Sequence, residues 1–104
     1  WLDSLRAYIF DNYRYALDRL AVVPELKVAD LQATYLMWVD CREICDRLGI
    51  TSAELANRLR VDAHVWFCAG SIYGTEGEGF LRVNLACPRA TLEEALTRFV
   101  AYVQ

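Results

Sequence analysis

The chain has 104 residues, 56% of them hydrophobic, and a formal net charge of −3. Its pI is near 5.0 and its mean hydropathy +0.15. That length suits one small domain. The acidic balance, with no basic stripe, argues against nucleic acid as a partner, and no apolar run approaches the ~18–20 residues that cross a bilayer. A domain this small exposes much of its surface, so so large an apolar fraction implies that some of it is normally covered by something else. The chain opens Trp1-Leu2-Asp3-Ser4, without an initiator Met or a charged leader region. The expectation is a cytoplasmic chain, processed or excised from a longer protein.

The first segment, Leu2 to about Leu20, is predicted to be helical. Leu2, Leu5, Ile9, Tyr13, Ala16, Leu17 and Leu20 recur at three- and four-residue steps. Pro24 ends the helical region, and Leu26-Lys27-Val28 is read as a short extended piece. Thr34 to Asp40 is β-rich and reads as a mostly buried strand. Asp40, with Glu43 three residues on, suggests a capping box for a helix from Cys41 to Leu48, which Gly49 stops. Thr51-Ser52-Ala53-Glu54 is a second capping box, opening a helix with Leu55, Ala56 and Leu59 inward. Val65 to Ala69 reads as a strand. Phe80 to Cys87 is a further one, placed to pair with it antiparallel. After Pro88, Thr91-Leu92-Glu93-Glu94 is read as a third capping box. It starts a helix with Leu92, Ala95, Leu96, Phe99, Val100 and Val103 on one side. The order implies an α+β fold: a small antiparallel or mixed sheet with helices packed on one face. Residues 1–104 form a single domain, with the long helix over 1–21 leading into a core over 22–104.

The segment from Gly77 to Arg89 is the most informative. On a strand, side chains alternate between faces. Leu81, Val83, Leu85 and Cys87 form a core face; Phe80, Arg82, Asn84 and Ala86 point the other way. Arg82 and Asn84 thus place a guanidinium beside a carboxamide. The planar fork of an arginine matches the two oxygens of a carboxylate, although most strand arginines are structural. Gly70, Gly74, Gly77 and Gly79 do not make a phosphate loop. No Gly-Lys-Ser/Thr ending follows them, and they lead into a strand rather than a helix. They read as a hairpin connection that needs positive φ angles, with Tyr73 at its middle as an aromatic able to cover a ligand.

The four cysteines, Cys41, Cys45, Cys68 and Cys87, lack Cys-x-x-Cys spacing, and His64 is the one histidine. Zinc ligation is therefore not expected, and free thiols in a reducing cytosol are. His64 has no nucleophile at interpretable spacing. The adjacent Glu93 and Glu94 are explained by a helix N-terminus.

Three segments together resemble a known family: Trp1-Leu2-Asp3 before a long helix; Ala33-Thr34-Tyr35-Leu36-Met37-Trp38-Val39-Asp40-Cys41-Arg42; and Gly70…Tyr73-Gly74…Gly77-Glu78-Gly79 running on through Phe80 to Arg89. In this order and spacing the chain resembles the C-terminal small domain of a pyridoxal-phosphate enzyme of fold type I, in the aminotransferase class I/II superfamily. The Ala-Cys-Pro-Arg ending and the Tyr-Leu-x-Trp-x-Asp-x-Arg strand most resemble the C–S lyases of cystathionine β-lyase type. The resemblance implies that Arg82 binds the substrate α-carboxylate, with Asn84 orienting it or pairing with backbone. It also implies that Thr34 and Tyr73 approach the active-site mouth. It further implies a large domain that holds pyridoxal 5′-phosphate, an amino-acid substrate, and a homodimeric full-length enzyme. The Schiff-base lysine belongs to that large domain, in a Ser/Thr-rich motif that the sole lysine here, Lys27, lacks. No catalytic residue, and no bound cofactor or metal, is then expected in this chain alone. An aminotransferase on the same fold would share Arg82. A stand-alone amino-acid-binding module, or an interaction domain with an apolar face, are the readings outside catalysis.

Overall fold

The computed structural model describes residues 2–32 and 35–104. Helix α1 (Leu2–Leu20) buries Ile9, Asn12, Ala16 and Leu20, residues three or four apart and so on one face. Of the expected stripe, Tyr13 and Leu17 are half-buried, and Leu5 is exposed together with Tyr8 and Phe10. The first turns of the helix therefore show apolar side chains to solvent.

Four strands form one sheet in the order β1-β2-β4-β3, antiparallel throughout. They are β1 (Lys27–Gln32), β2 (Leu36–Asp40), β3 (Cys68–Ala69) and β4 (Phe80–Asn84). The short extended piece at Leu26–Val28 is the start of the edge strand β1. The strand read over Thr34–Asp40 is observed from Leu36; Thr34 lies outside the described residues. It is not buried on both faces: Met37 and Val39 are in the core, while Leu36, Trp38 and Asp40 are half-buried on the other side. The strand read over Val65–Ala69 pairs only at Cys68 and Ala69, with Val65 buried and Trp66 exposed before it.

Strand β4 stops at Asn84, three residues short of the expected Cys87. The side-chain oxygen of Asn84 accepts the Ala86 N–H at 2.8 Å and turns the chain, a local bond that competes with strand pairing. Leu85 still donates its N–H to the Tyr35 carbonyl at 2.8 Å. This corner is clamped from α1. Asn12, fully buried, donates to the carbonyls of Leu85 at 2.9 Å and Cys87 at 3.2 Å. Its oxygen accepts Arg89 Nε at 2.8 Å. The Tyr8 hydroxyl donates to the Cys87 carbonyl at 2.5 Å, and the Arg89 guanidinium lies over the Tyr15 ring, 4.8 Å from its centre.

Helix α2 (Arg42–Leu48) begins differently from expectation. Its N-cap is Cys41, with no side-chain cap. Asp40 instead accepts the Arg42 backbone N–H at 3.0 Å and the Arg42 guanidinium at 3.0 and 2.8 Å. Glu43 pairs with Lys27 at 3.7 Å, so no capping box forms. Gly49 ends the helix with φ +68°, a left-handed conformation that suits glycine. Helix α3 (Ser52–Arg58) has the expected Thr51–Glu54 capping box. It runs into a wide turn over Leu59–Ala63 that closes at His64 with φ 57°. Leu55 and Leu59 are buried and Ala56 half-buried. Helix α4 (Arg89–Val103) is capped at Pro88, with no side-chain bond. The third capping box is therefore absent, and Thr91 lies inside the first turn. Pro88 holds the N-cap position with extended backbone, φ −57° and ψ 142°, one residue before the first helical turn.

Leu92, Leu96, Phe99, Val100 and Val103 of α4 join Met37, Val39, Leu81, Val83 and Leu85 of the sheet region in one core. Phe67 meets Phe99 edge-on at 5.3 Å. All four cysteines are free thiols. Burial pushes the Cys41 thiol up, and the Cys45 thiol to about 11, so both are inert at neutral pH.

Glu78 fastens the segment between β3 and β4 to α3. It accepts the Ser52 hydroxyl, the Ser52 backbone N–H at 3.1 Å and the Gly79 N–H at 2.9 Å. These bonds, the Ser52 hydroxyl first, hold its carboxyl below the usual range. The Arg42 side chain does the same for Asp40.

Two measurements check these contacts. Asn12→Ala removes the side-chain donor to the Leu85 carbonyl, one of two donors to the Cys87 carbonyl and the acceptor of Arg89 Nε, and unfolding in urea is expected to show a loss of about 2–4 kcal/mol; a change within about 0.5 kcal/mol would contradict the clamp. Glu78 and Asp40 have lowered folded-state pKa values. Their stabilisation is complete above the ordinary carboxyl pKa and disappears as pH falls through the lowered values. Urea midpoints are therefore expected to fall on acidification below about pH 4.5, less steeply in Glu78→Gln. An unchanged slope in that variant would rule out the fastening role of Glu78.

Candidate carboxylate-binding site

The face of the sheet opposite the core carries Leu36, Trp38 and Asp40 of β2 and Phe80, Arg82 and Asn84 of β4. These positions alternate with buried ones along both strands. Cross-strand partners point to the same side. In this register Trp38 lies opposite Arg82 on one flank and Cys68 lies opposite it on the other. The guanidinium of Arg82, half-buried, therefore rises from the central strand with an indole and an exposed thiol in the same row.

The indole reaches further than its own strand. Trp38 belongs to β2, yet its Cζ3 atom stands 2.7 Å from where a Cβ at residue 70 would be. Gly70 directly follows β3, on the far side of β4. The ring thus runs diagonally across β4, from the level of Arg82 toward that of Phe80, and meets Phe80 edge-on at 6.2 Å and 74°. A side chain at residue 70 would also strike the Gly77 and Phe80 carbonyls, and one at residue 77 would strike Gly70. These two glycines serve close approach. Only Gly74 and Gly79, with φ +129° and +88°, need positive φ, which corrects the expectation that all four do. The connection is not an open loop either: it contains short 3-10 turns at Gly70–Tyr73 and Thr75–Gly77. At the other end of this face, Arg42 lies over the Phe80 ring at 5.2 Å from its centre. Its stem occupies the space a side chain at residue 79 would need.

Of the site residues read from sequence, the structure brings Arg82 and Asn84 to one face. Asn84 spends its carboxamide oxygen on the Ala86 backbone, which is the backbone-pairing alternative of the two foreseen. Tyr73 ends the first 3-10 turn beside this face; its side chain and Thr34 lie outside the described residues. Sequence reading passed over Trp38, Gly70 and Cys68 as parts of the site. The period-two pattern of β2 carried a signal for Trp38. The reach of its ring to Gly70 had none, because it depends on strand order.

A pyridoxal-phosphate cofactor needs a lysine, and the residues of this chain do not provide a fitting one. Lys27 sits on the edge strand β1, two strands from β4, and is held by Glu43. Among the described residues no group of three or more His, Cys, Asp or Glu side chains could hold a metal ion. No described helix is long and apolar enough to cross a membrane.

No family model matches the chain. Individual proteins do. It is 40% identical to Protein MalY of Escherichia coli over 101 residues, covering 96% of this chain and 25% of that protein. It is 37% identical over 102 residues to cystathionine beta-lyase PatB of Bacillus subtilis, covering 97% of this chain and 25% of that one. Its fold matches the crystal structure of the PLP-bound C–S lyase of Staphylococcus hominis with a TM-score of 0.88 and 27% identity, over 99% of this chain and 27% of the lyase. The chain thus spans about a quarter of the length of the relatives it matches. By sequence and by fold the chain is thus similar over nearly its whole length to a quarter-length segment of these proteins, as a C-terminal fragment of a fold-type-I pyridoxal-phosphate enzyme would be.

Proposed function

We propose that the chain is the C-terminal small domain of a C–S β-lyase of cystathionine β-lyase type, and that Arg82 binds the α-carboxylate of its sulfur amino-acid substrate. The observation that supports this most is the placement of Arg82. It stands half-buried on an inner strand, on the sheet face opposite the core, with its backbone held by strands on both sides. A guanidinium so fixed offers two parallel donors to a carboxylate. Pyridoxal phosphate, held by the large domain together with its lysine, supplies an electron sink for the substrate carbanion when bound. The contribution of this chain is orientation. Gripping the carboxylate at Arg82 turns the substrate so that the bond to be broken at Cα faces the catalytic groups of the large domain. Loss of the α-proton and of the thiol from the β-carbon, followed by addition of water, yields pyruvate, ammonia and a thiol.

In this reading Thr34 and Tyr73 stand at the mouth of the site, and Asn84 holds the corner that ends β4. The exposed Leu5, Tyr8 and Phe10 are covered by the large domain. The family resemblance adds a homodimeric assembly.

The full-length enzyme tests the reading. Arg82→Ala is expected to lower kcat/KM for cystathionine by about 100-fold or more, mainly through KM, as loss of a charge-assisted bidentate contact requires. Arg82→Lys is expected to recover only part of this, because an ammonium is a point charge. An unchanged kcat/KM in Arg82→Ala would overturn the assignment. Product analysis tests the reaction: pyruvate, ammonia and thiol support the lyase, whereas a keto acid matching the substrate would make the enzyme an aminotransferase.

A further inference from the structure

We propose that Trp38 is the positioning residue of the carboxylate site, setting where the guanidinium of Arg82 stands; the inference rests on the reading of Arg82 given above. Three observations combine. Trp38 and Arg82 are direct cross-strand partners, with side chains on the same face. The indole does not stay over its own strand, since its far edge packs on Gly70 beyond β4. Phe80 buttresses the ring edge-on at 6.2 Å, and Phe80 is in turn covered by the Arg42 guanidinium, itself forked onto Asp40. The indole is thus locked at its tip and along its edge.

A locked aromatic plane beside a long flexible side chain removes rotamers from that side chain. Lying diagonally across β4, the ring closes the flank of Arg82 that faces Phe80. The cross-strand neighbour of Arg82 on the opposite flank is Cys68. A carboxylate then meets a pre-oriented fork and loses less entropy on binding. The same geometry explains the absence of a side chain at residue 70: a methyl group there would displace the ring. Cys68, exposed and directly opposite Arg82 on the other flank, reports on the result.

The test uses Cys68 as a probe of guanidinium position. The chain is alkylated with iodoacetate, an anion, or iodoacetamide, its neutral analogue, and modification of Cys68 is followed by peptide mass. Both reagents join the thiolate sulfur to carbon and release iodide, so their rate ratio reads the local positive charge. Arg82→Gln is expected to lower the iodoacetate-to-iodoacetamide ratio at least about threefold at low salt. Trp38→Leu is expected to lower it comparably, and Trp38→Phe, whose ring is too short to reach Gly70, by an intermediate amount. A general loosening of the fold would speed both reagents together and leave the ratio alone, so the ratio separates positioning from stability. If Arg82→Gln lowers the ratio and the Trp38 variants do not, the role of Trp38 is overturned while the reading of Arg82 stands. If Arg82→Gln leaves the ratio unchanged, the reading of Arg82 and the role of Trp38 fall together. Should Trp38→Leu not fold, as judged by circular dichroism, Trp38→Phe decides alone.

Discussion

The two-residue period of β4 is the constraint on which the rest depends. Leu81 and Val83 enter the core, and that burial fixes the strand against slipping, because a shift of one residue would turn both into solvent. With the register fixed, Arg82 must emerge on the opposite face, between Trp38 on β2 and Cys68 on β3. The hydrophobic core thereby sets the face from which the Arg82 side chain emerges without touching its guanidinium. A site built on a strand paired on both sides is held more firmly than one on a loop.

The two ends of β4 are secured by different chemistry. At its start, Glu78 fastens the incoming connection to α3 through Ser52, and Gly79 leaves room for the Arg42 stem. At its end, buried Asn12 of α1 grips the carbonyls of Leu85 and Cys87. Buried polar groups that find all their partners act as specific fasteners, whereas apolar contacts tolerate sliding. Because Asn12 sits on the same long helix whose first turns expose Leu5, Tyr8 and Phe10, α1 joins the uncovered apolar surface to the corner beyond Arg82. A domain docked on that surface and a ligand held by Arg82 would therefore bear on one continuous piece of structure.

Much of this was legible in the sequence, since periodicity is a local signal. The helix at Leu2–Leu20, the Thr51–Glu54 cap, the Gly49 stop and the two faces of β4 follow from spacing and residue type alone. The errors have a common physical origin. Asp40 has the composition of a cap, but a neighbouring arginine took its carboxylate. Thr91 and Glu94 have the spacing of a capping box, but Pro88 had already set the entrance to α4. Asn84 ended its strand early by bonding its own backbone. In each case a partner within a few residues won a competition that residue type could not decide. The contact of Trp38 with Gly70 lay beyond such reading altogether. It exists only because β4 inserts between β2 and β3, and strand order is a property of the whole fold.

The most direct test of the central claim is a crystal structure of the full-length enzyme with an unreactive amino-acid analogue bound. The account predicts the analogue's carboxylate on the Arg82 guanidinium, in a two-oxygen contact of about 2.8 Å, with the Trp38 ring still seated on Gly70. A carboxylate bound by another cation, with Arg82 turned away from the cleft, would contradict it.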